Sequence, residues 1–589
     1  MNFRSITLTA IKCILIIFLS SCSRTVNKSI SIIESTDIHG VILPYDFIEK
    51  EKLNFSMASS YEYIKTVRGK KDATFLLDNG DNLQGQPEVY YYNFIDTLPP
   101  HFLSEVMNYM KYDAGTVGNH DIEAGHAVYD RMAKEYEFPL LAANAVDIAT
   151  GKPYFKPYRI IEKDGIKIAV FGLVTPAIPN WLPSTLYSGI EFKDMVETAR
   201  KWMPVMQNEK PDLVVGLFHS GWDRSEAKLQ QTKNLNENGS AAVAYNVPGF
   251  DIIFNGHDHK VANEKIVNSS GDTVLILNGG SRSEKLAEAD VTFSSHKING
   301  KLKKKISGQI VNVSDYGPDS SFIKKFTPQY KTIDEYVNRV IGNSSATITS
   351  RDAYFGPSAI IDMVHSIQLE ITGADISFAA PLSFDVRIDK GPITVGDMFK
   401  LYRFENFLYT MSLSGEEVRK YLEYSYSGWL NTMKGPNDQL LKFRIGKDGK
   451  PALTNGKAWF KNQSYNFDSA AGINYTVDVS KPDGSRITIT GFTDGRPFTT
   501  NKIYKVAVNS FRGNGGGGHF TEGVGISKDE LRKRVISSTD RDLRYYILKS
   551  IERKRSINPE SLNNWKIIPE KWVRNVQQAE SFLLFGINK

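Results

Sequence analysis

The chain has 589 residues, of which 41% are hydrophobic and 23% charged. Because a single hydrophobic core usually stops growing at about 250–300 residues, we expect two domains rather than one. The formal net charge of +6 is small for this length and argues against a strongly basic surface for a nucleic-acid polymer. Nothing in the composition calls for an obligate protein partner.

The first residues have the layout of an export signal. Arg4 and Lys12 are followed by an apolar run at 13–19 and by two serines before Cys22, which is the order of cationic start, apolar core and cleavage site. The apolar run is too short to cross a bilayer. The Leu-Ser-Ser-Cys sequence that ends at Cys22 resembles the bacterial lipoprotein signal, in which this cysteine becomes the lipid-carrying first residue. An ordinary secretory signal is the alternative, and both place the protein outside the cytoplasm.

The lipid would anchor the protein to a bacterial membrane, facing the periplasm or the cell surface. Cys13 and Cys22 are the only cysteines. Because Cys13 would leave with the signal and Cys22 would carry the lipid, no thiol remains for a disulfide or a zinc-thiolate site. Any bound metal must therefore be held by His, Asp and Asn.

From about residue 29 to 310, short apolar runs alternate with helix-like stretches. The apolar runs favour buried strands at 30–33, 74–77, 213–218 and 252–254. The stretches between them favour helices at 101–112, 126–137 and 194–208. This alternation predicts sheets covered by helices, with ligands expected in loops at the carboxyl ends of the strands.

Beyond this region the pattern changes to a mixture of helices and strands. A helix predicted at 322–342 forms the connector. It is followed by predicted helices at 357–371 and 415–426 and by predicted strands at 485–492 and 503–509. We expect a signal peptide at 1–21, a tether at 22–28, an α/β domain at 29–315, a connector at 316–349, an α+β domain at 350–560 and a tail at 561–589.

Five short polar clusters follow the predicted strands of the first domain. They contain Asp37 with His39, Asp81, Asn119 with His120, His219, and His257 with His259. A single cluster of this kind is usually a turn, but five at strand ends are hard to explain by turns alone. Together they supply seven nitrogen and oxygen ligands, about the number that a site for two divalent cations needs.

These clusters resemble those of the calcineurin-like metallophosphoesterase family, in particular its branch of 5′-nucleotidases and 2′,3′-cyclic-nucleotide phosphodiesterases. The resemblance covers nearly the whole mature chain. It implies an N-terminal sandwich of sheets flanked by helices, a connecting helix and a C-terminal α+β domain of the 5′-nucleotidase type. It also implies that one divalent ion is held by Asp37, His39 and His259, that a second is held by Asn119, His219 and His257, and that Asp81 bridges them. This ligand set suits zinc, manganese or iron and does not choose among them.

The resemblance further implies that His120 is the catalytic histidine. Its acidic partner in the family lies three residues later, and here that position is Glu123. Two cations would lower the pKa of a bound water and neutralise phosphate oxygens, and His120 could stabilise the transition state or protonate the leaving oxygen. A structural role as an eighth ligand is the alternative for His120.

Two segments of the second domain, 464–468 and 509–520, pair aromatic residues with turn-forming residues. From the residues alone, Tyr465, Phe467 and Phe511 could stack on a nucleobase or belong to the core. The resemblance implies a base held between Tyr465 and Phe511, with Phe467 as the alternative to Tyr465. The glycine run of the second segment would let the backbone approach the nucleoside, or would be a flexible surface loop.

Residues 379–384 read Ala-Ala-Pro-Leu-Ser-Phe, where 5′-nucleotidases usually carry an Asn-Gly-Gly-x-Arg-like turn. This departure is more similar to the cyclic-phosphodiesterase/3′-nucleotidase branch. The sequence therefore predicts an enzyme that opens 2′,3′-cyclic nucleotides to 3′-nucleotides and dephosphorylates these to nucleosides. A 5′-nucleotidase or UDP-sugar hydrolase is the first alternative, and a non-catalytic surface-binding lipoprotein is a remote one.

Overall fold

The computed structural model describes residues 27–225, 236–298 and 301–586. The predicted signal peptide and Cys22 lie outside the described residues. Within these ranges, no helix has both the length and the apolar character that crossing a bilayer requires.

Two six-stranded sheets pack face to face in the first domain. In spatial order, the first sheet consists of Lys301–Asn312, Lys285–Ile298, Lys28–Ser35, Ala73–Asp78, Ala114–Thr116 and Leu140–Leu141. The second sheet consists of Ala262–Val267, Thr273–Asn278, Ile252–Asn255, Leu213–His219, Ile166–Val174 and Tyr158–Lys163. Ile32 and Phe75 of the first sheet and Val170 and Leu217 of the second lie in one buried cluster. All four apolar runs that predicted strands lie within these sheets.

Helices cover the outer faces of this sandwich. They are Met57–Arg68, Pro87–Phe94, Phe102–Met110, His126–Glu135, Met195–Asn208 and Ser240–Asn246, whereas the short helix Asn119–Glu123 lies beyond the carboxyl end of the strand Ala114–Thr116. The helix Phe102–Met110 shows why they pack there, because its buried side chains Phe102, Val106 and Met110 recur at helical spacing along one face. The three helices predicted from the sequence correspond to members of this set.

The direction of the strands decides where the polar clusters meet. In the first sheet, Lys28–Ser35 pairs in parallel with Ala73–Asp78, which pairs in parallel with Ala114–Thr116. In the second sheet, Leu213–His219 pairs in parallel with Ile252–Asn255. Because the carboxyl ends of parallel strands lie at the same edge of a sheet, the loops that follow these strands are neighbours.

A single long helix, Ser320–Asn338, connects the domains. Asp319 caps its start by accepting a hydrogen bond from the Phe322 amide at 2.6 Å. Phe322 and Val337 of this helix lie in a buried cluster that draws residues from both domains. The helix ends four residues before the predicted boundary, since Val340–Ser344 pairs as a strand with Gly391–Thr394 instead.

The second domain has a five-stranded mixed sheet at its centre. In spatial order its strands are Ser469–Ala471, Ile376–Ala379, Ile503–Asn509, Phe407–Ser414 and Val535–Asp542. A three-stranded sheet contains Ile487–Phe492, Ile473–Asp478 and Trp565–Ile568. The main helices are Ala359–Thr372, Val395–Leu401, Gly415–Trp429, Lys528–Arg534, Leu543–Lys554 and Glu570–Phe585. The mixture of helices and strands is the α+β character that the sequence predicts.

Residues 565–585 are part of this domain's core, although they fall in the tail predicted at 561–589. The strand Trp565–Ile568 pairs in parallel with Ile473–Asp478, and the helix Glu570–Phe585 buries Leu584 among second-domain residues. The buried Glu580 accepts hydrogen bonds from two backbone amides, at 2.6 and 2.9 Å. The strand has only four residues, Trp-Lys-Ile-Ile, so its sequence gives a weak strand pattern.

Candidate active site

The seven side chains predicted as metal ligands come together at the edge where the parallel strands end. The first sheet contributes Asp37, His39, Asp81 and Asn119, and the second contributes His219, His257 and His259. All seven lie at or shortly after the carboxyl end of a strand. The sandwich therefore brings two distant parts of the chain to one place.

One group of possible ligands consists of Asp37, His39 and His259, whose ligand atoms all lie within 4.8 Å of one another. His259 Nε2 is 3.3 Å from Asp37 Oδ1 and 3.1 Å from His39 Nε2. Two imidazole nitrogens and a carboxylate oxygen that converge in this way match the donor set of a first-row divalent cation.

A second group consists of Asp81, His219 and His257, again within 4.8 Å of one another. His219 Nε2 is 3.1 Å from Asp81 Oδ2 and 3.2 Å from Asn119 Oδ1. The amide oxygen of Asn119 thus lies beside this group, to which the resemblance assigns it. Asp81 also faces the neighbouring part of the site, because its Oδ1 accepts a hydrogen bond from the His120 amide at 2.7 Å.

The backbone at these positions adopts a conformation that residues with side chains rarely use. Asp37, His39, Asp81, His257 and His259 have φ angles of 49°, 49°, 57°, 75° and 56°. A left-handed conformation costs a residue other than glycine about 1–3 kcal/mol and persists only where the surroundings enforce it. Five of the seven predicted ligands share this feature, which is typical of functional sites.

Close backbone approach shapes the same loops. A Cβ added at Gly118 would collide with the Asp81 carboxylate. The following residue is Asn119, so the glycine lets the loop after the strand Ala114–Thr116 place the Asn119 side chain close to Asp81. This is a direct reason for glycine at that position.

Burial and charge determine the protonation of the site. Burial lowers the pKa of His39 to about 4, which keeps its imidazole neutral, as a metal ligand must be. Burial would lower the pKa of His219 as well, but the carboxylates of Asp81 and Asp37 outweigh it and raise that pKa to about 9. Burial opposes ionisation of Asp81, yet His219 and His120 hold its pKa well below the ordinary value. The carboxylates of Asp37 and Asp81 thus favour a proton on His219, and a cation bound by these residues would take the place of that proton.

The ring atoms that do not face the ligand groups have partners of their own. His219 Nδ1 lies 2.6 Å from the Asn79 carbonyl oxygen, and His39 Nδ1 lies 3.1 Å from another backbone carbonyl. His257 Nε2 lies 3.1 Å from Glu237 Oε1, which leaves Nδ1 for an ion. Such partners orient metal-binding histidines and fix their tautomers, so the residues present fit a site for two divalent ions.

His120 and Glu123 form a contact within the short helix Asn119–Glu123. His120 Nδ1 is 2.5 Å from Glu123 Oε2. Burial would lower the pKa of His120, but Asp81 and Glu123 outweigh burial and raise it to about 10. The Asp121 carboxylate fixes this helix to the preceding loops by accepting bonds from four backbone amides, at 2.8–3.0 Å.

A cavity of about 280 Å³ lies between the two domains. It is lined by Asn119, His120 and His257 from the first domain and by Tyr465 and Phe511 from the second. The two aromatic residues singled out in the sequence therefore face the histidine that the resemblance marks as catalytic. Tyr465 precedes the strand Ser469–Ala471, and Phe511 follows the strand Ile503–Asn509. Both strands belong to the central sheet of the second domain, which brings these distant segments together.

Phe467 does not line this cavity, so its assignment as the alternative to Tyr465 needs correction. Its side chain is 1% exposed. Its ring stacks on Trp429 at 5.3 Å between centroids and meets Phe460 edge-on at 5.0 Å. Phe467, which directly follows the 3₁₀ turn Ser464–Asn466, is therefore a core residue of the second domain.

Several residues that line the cavity carry no motif in the sequence. Trp181 lies in a loop of the first domain, with its ring 5.5 Å from that of His257. Phe404 meets Tyr465 edge-on at 6.1 Å. A hydrophobic residue in a loop gives no local sign of its role, so only the folded structure identifies these positions.

Two family models match the chain. Residues 30–261 match the calcineurin-like phosphoesterase model, and residues 340–522 match the C-terminal domain of 5′-nucleotidase. The matches correspond to the first and second domains described above.

Curated relatives align over most of the chain. A 2′,3′-cyclic-nucleotide 2′-phosphodiesterase/3′-nucleotidase of Yersinia enterocolitica is 24% identical, with 94% of this chain and 90% of the relative aligned. The enzyme of the same name from Salmonella typhimurium is 27% identical, with 91% and 88% aligned. A trifunctional nucleotide phosphoesterase of Bacillus subtilis is 27% identical over 92% of this chain, which spans only 39% of that longer protein.

Solved structures share the fold. A Staphylococcus aureus protein in complex with α-ketoglutarate superposes with a TM-score of 0.72 at 20% identity, covering 92% of this chain and 99% of the other. A 5′-nucleotidase precursor from Thermus thermophilus gives a TM-score of 0.59 at 19% identity with the same coverage. Taken with the two family models, the chain combines a calcineurin-like phosphoesterase domain with a 5′-nucleotidase C-terminal domain.

Proposed function

We propose that this protein is a metal-dependent hydrolase that opens 2′,3′-cyclic nucleotides to 3′-nucleotides and then converts these to nucleosides and phosphate. One observation carries the proposal. The cavity of about 280 Å³ joins His120 and the ligand groups on one side to Tyr465 and Phe511 on the other. A phosphate ester and a nucleobase at opposite ends of one small molecule match these two walls.

The two ligand groups would each hold a divalent ion, with zinc, manganese and iron all compatible with the donors. Such ions lower the pKa of water and neutralise the phosphate oxygens during in-line attack. Around them, His39 stays neutral and Asp81 stays ionised for the reasons given above. The bonds from His219, His39 and His257 to their outer partners keep these rings in place when substrate enters.

His120 is suited to deliver the proton that each step requires. In the first step a P–O2′ bond breaks, and in the second a P–O3′ bond breaks, while a water oxygen joins phosphorus each time. The departing oxygen needs a proton in both steps. Glu123 holds the Nδ1 side of the His120 ring at 2.5 Å, which leaves Nε2 as the ring atom available to the substrate.

The choice of branch rests on two further observations. Relatives named 2′,3′-cyclic-nucleotide 2′-phosphodiesterase/3′-nucleotidase align over 91–94% of the chain, whereas those named 5′-nucleotidase align over 67–84%. The turn at 379–384 places Leu382, an uncharged residue, at the cavity wall. Both favour the cyclic and 3′ substrates.

The test is phosphate release from 2′,3′-cyclic AMP, 3′-AMP, 5′-AMP and a nucleotide sugar by the chain from Ser23 onward, with added zinc or manganese. We expect activity on the first two substrates, and loss of it in His120→Ala. Preference for 5′-AMP would reassign the protein to the 5′-nucleotidases. Absence of hydrolysis in a protein that purifies with two metal equivalents would refute the catalytic proposal.

We further propose that the protein is exported and anchored through a lipid on Cys22, which rests on the sequence alone. The experiment is metabolic labelling with a fatty-acid analogue in a bacterial host, followed by membrane fractionation. We expect label and membrane association in the unaltered chain and neither in Cys22→Ser. Secretion of the unaltered chain without incorporation of the fatty-acid analogue would instead indicate an ordinary signal peptide.

A further inference from the structure

The two aromatic residues of the cavity belong to different segments of the second domain. Tyr465 lies in the turn Ser464–Asn466, and Phe511 lies in the short helix Ser510–Gly513. Neither ring is fully buried, so the packing of the two rings alone does not fix the gap between them. A base can stack only if that gap is held at a suitable width.

Arg512 joins the two segments. It follows Phe511 directly, and its side chain is 1% exposed. Nη2 donates to the Tyr465 carbonyl oxygen at 2.6 Å and to Asn466 Oδ1 at 2.9 Å. Nη1 donates to the Gly516 carbonyl oxygen at 3.0 Å. One guanidinium group therefore bonds the backbone of the first segment to the loop of the second.

A buried carboxylate neutralises this guanidinium. Asp468, also 1% exposed, accepts from Arg512 Nε at 2.8 Å and lies 3.1 Å from His519 Nε2 through the same oxygen. The planar guanidinium can satisfy all these partners at once because its donors point in fixed directions. The position of the Arg512 guanidinium is thus fixed by hydrogen bonds at all three of its nitrogens.

The glycine run packs against this arrangement. A Cβ on Gly517, where φ is 71°, would collide with the Arg512 guanidinium and the Asn466 amide. A Cβ on Gly516 would lie 2.6 Å from the Phe511 ring. The Arg512 guanidinium carbon itself lies 5.4 Å from the centre of that ring, within the range of cation–π contacts. The run is therefore a packed part of the site rather than a free surface loop.

We propose that Arg512 is a positioning residue for nucleoside binding, which with Asp468 sets the gap between Tyr465 and Phe511. It touches neither the phosphate-binding groups nor the reacting atoms. The inference rests on the proposed function, since it assumes that the base occupies this gap. Its consequence is that nucleotide recognition and phosphate-ester hydrolysis can be separated by one substitution.

The test compares Arg512→Lys with the unaltered enzyme on 3′-AMP and on p-nitrophenyl phosphate, which has no base. Lysine keeps the charge but cannot reach the separate acceptors together. We expect the KM for 3′-AMP to rise roughly tenfold, the order of effect of one base–aromatic stack, while kcat/KM for p-nitrophenyl phosphate is unchanged. An equal loss on both substrates, or no loss on either, would overturn the proposal.

A matched control is Arg486→Lys. Arg486 is likewise buried and donates to two backbone carbonyls and Thr432 Oγ1, but it does not line the cavity. We expect this variant to keep the KM for 3′-AMP even if its Tm falls. The same KM increase in Arg486→Lys would mean that Arg512 acts only through general stability.

Calorimetry with adenosine provides a readout that does not depend on hydrolysis. If Arg512 acts through the aromatic pair, Arg512→Lys should weaken adenosine binding in the otherwise unaltered protein. In a protein that already carries Tyr465→Ala, the same substitution should weaken adenosine binding only slightly further, because the two losses are not independent. Additive losses would overturn the proposal.

Gly517→Ala displaces the same guanidinium without removing it. It should therefore raise the KM for 3′-AMP as Arg512→Lys does, with no change on p-nitrophenyl phosphate. An unchanged KM in a folded Gly517→Ala would also count against the mechanism. Failure of the proposed function gives a different result. The unaltered enzyme would then hydrolyse p-nitrophenyl phosphate but would not cleave 3′-AMP.

Discussion

Alanine substitutions at Phe467 and Tyr465 should have opposite effects, although the residues are only two apart. Phe467 is 1% exposed and stacks on Trp429, so its removal leaves a cavity in the core and should lower the free energy of unfolding by about 3–5 kcal/mol. For a domain of roughly 150–250 residues, each kcal/mol shifts Tm by about 2–4 °C. We therefore expect Phe467→Ala to lower the Tm of the second domain by roughly 6–20 °C.

Tyr465 lines the cavity instead, so its removal should cost binding rather than stability. Stacking of a base on one aromatic ring contributes about 1–3 kcal/mol. That range corresponds to an increase in the KM for 3′-AMP of roughly 5- to 150-fold. The Tm of Tyr465→Ala should stay close to that of the unaltered protein.

Thermal unfolding followed by calorimetry, together with initial rates on 3′-AMP, measures both effects. Phe467→Leu is the control, because it keeps an apolar side chain and should fall between the unaltered protein and Phe467→Ala in Tm. The reasoning is refuted if Tyr465→Ala lowers Tm as much as Phe467→Ala does. It is equally refuted if Phe467→Ala raises KM and leaves Tm unchanged.

Further predictions concern the metal groups and the catalytic pair. His120→Ala should lower kcat by about 10²–10⁴-fold, the usual range for general acid–base catalysis, with unchanged metal content by elemental analysis; loss of metal would instead indicate a ligand. Glu123→Gln keeps an acceptor for the ring and should lower kcat less, as measured by the same rates. A chelator should abolish activity, and added zinc, manganese or iron should restore it in the unaltered enzyme but not in Asp81→Asn, which lacks a carboxylate for the ions. Glu237→Ala should weaken metal affinity by roughly 10–100-fold, because it removes an outer contact of a ligand, whereas the comparably exposed Glu191→Ala should not; metal titration of the apoprotein distinguishes them.

The positions of most possible ligands were predictable because they depend on a short stretch of sequence; the exception is Asn119, since the three-residue strand Ala114–Thr116 before it was not among the predicted strands. A buried apolar run predicts a strand, and the polar cluster after it must then lie at the strand's carboxyl end. For example, 30–33 lies within the strand Lys28–Ser35, which is followed by Asp37 and His39. Parallel pairing then brings together the clusters within each sheet, and the face-to-face packing of the two sheets joins the two sets.

The walls of the cavity were harder to predict, since they depend on contacts between distant residues. Trp181 and Phe404 come from loops in different domains, and nothing near them in the sequence indicates a shared cavity. The choice between Tyr465 and Phe467 depends on which side of the turn faces the core. The end of the connector depends on a competing strand, Val340–Ser344, whose partner lies some fifty residues later.

The backbone at the possible ligands shows why the local rules of sequence reading also fail where function is concentrated. Asp37, His39, Asp81, His257 and His259 occupy a left-handed conformation for which glycine would be the ordinary choice. Glycine would relieve the backbone but would remove the donor atoms, so the side chains must be retained for what they bind. Natural sequences depart from local preference mainly at functional or strained sites. The conflict between backbone and side chain at these five positions is therefore independent support for a metal site, and it does not depend on the resemblance to other proteins.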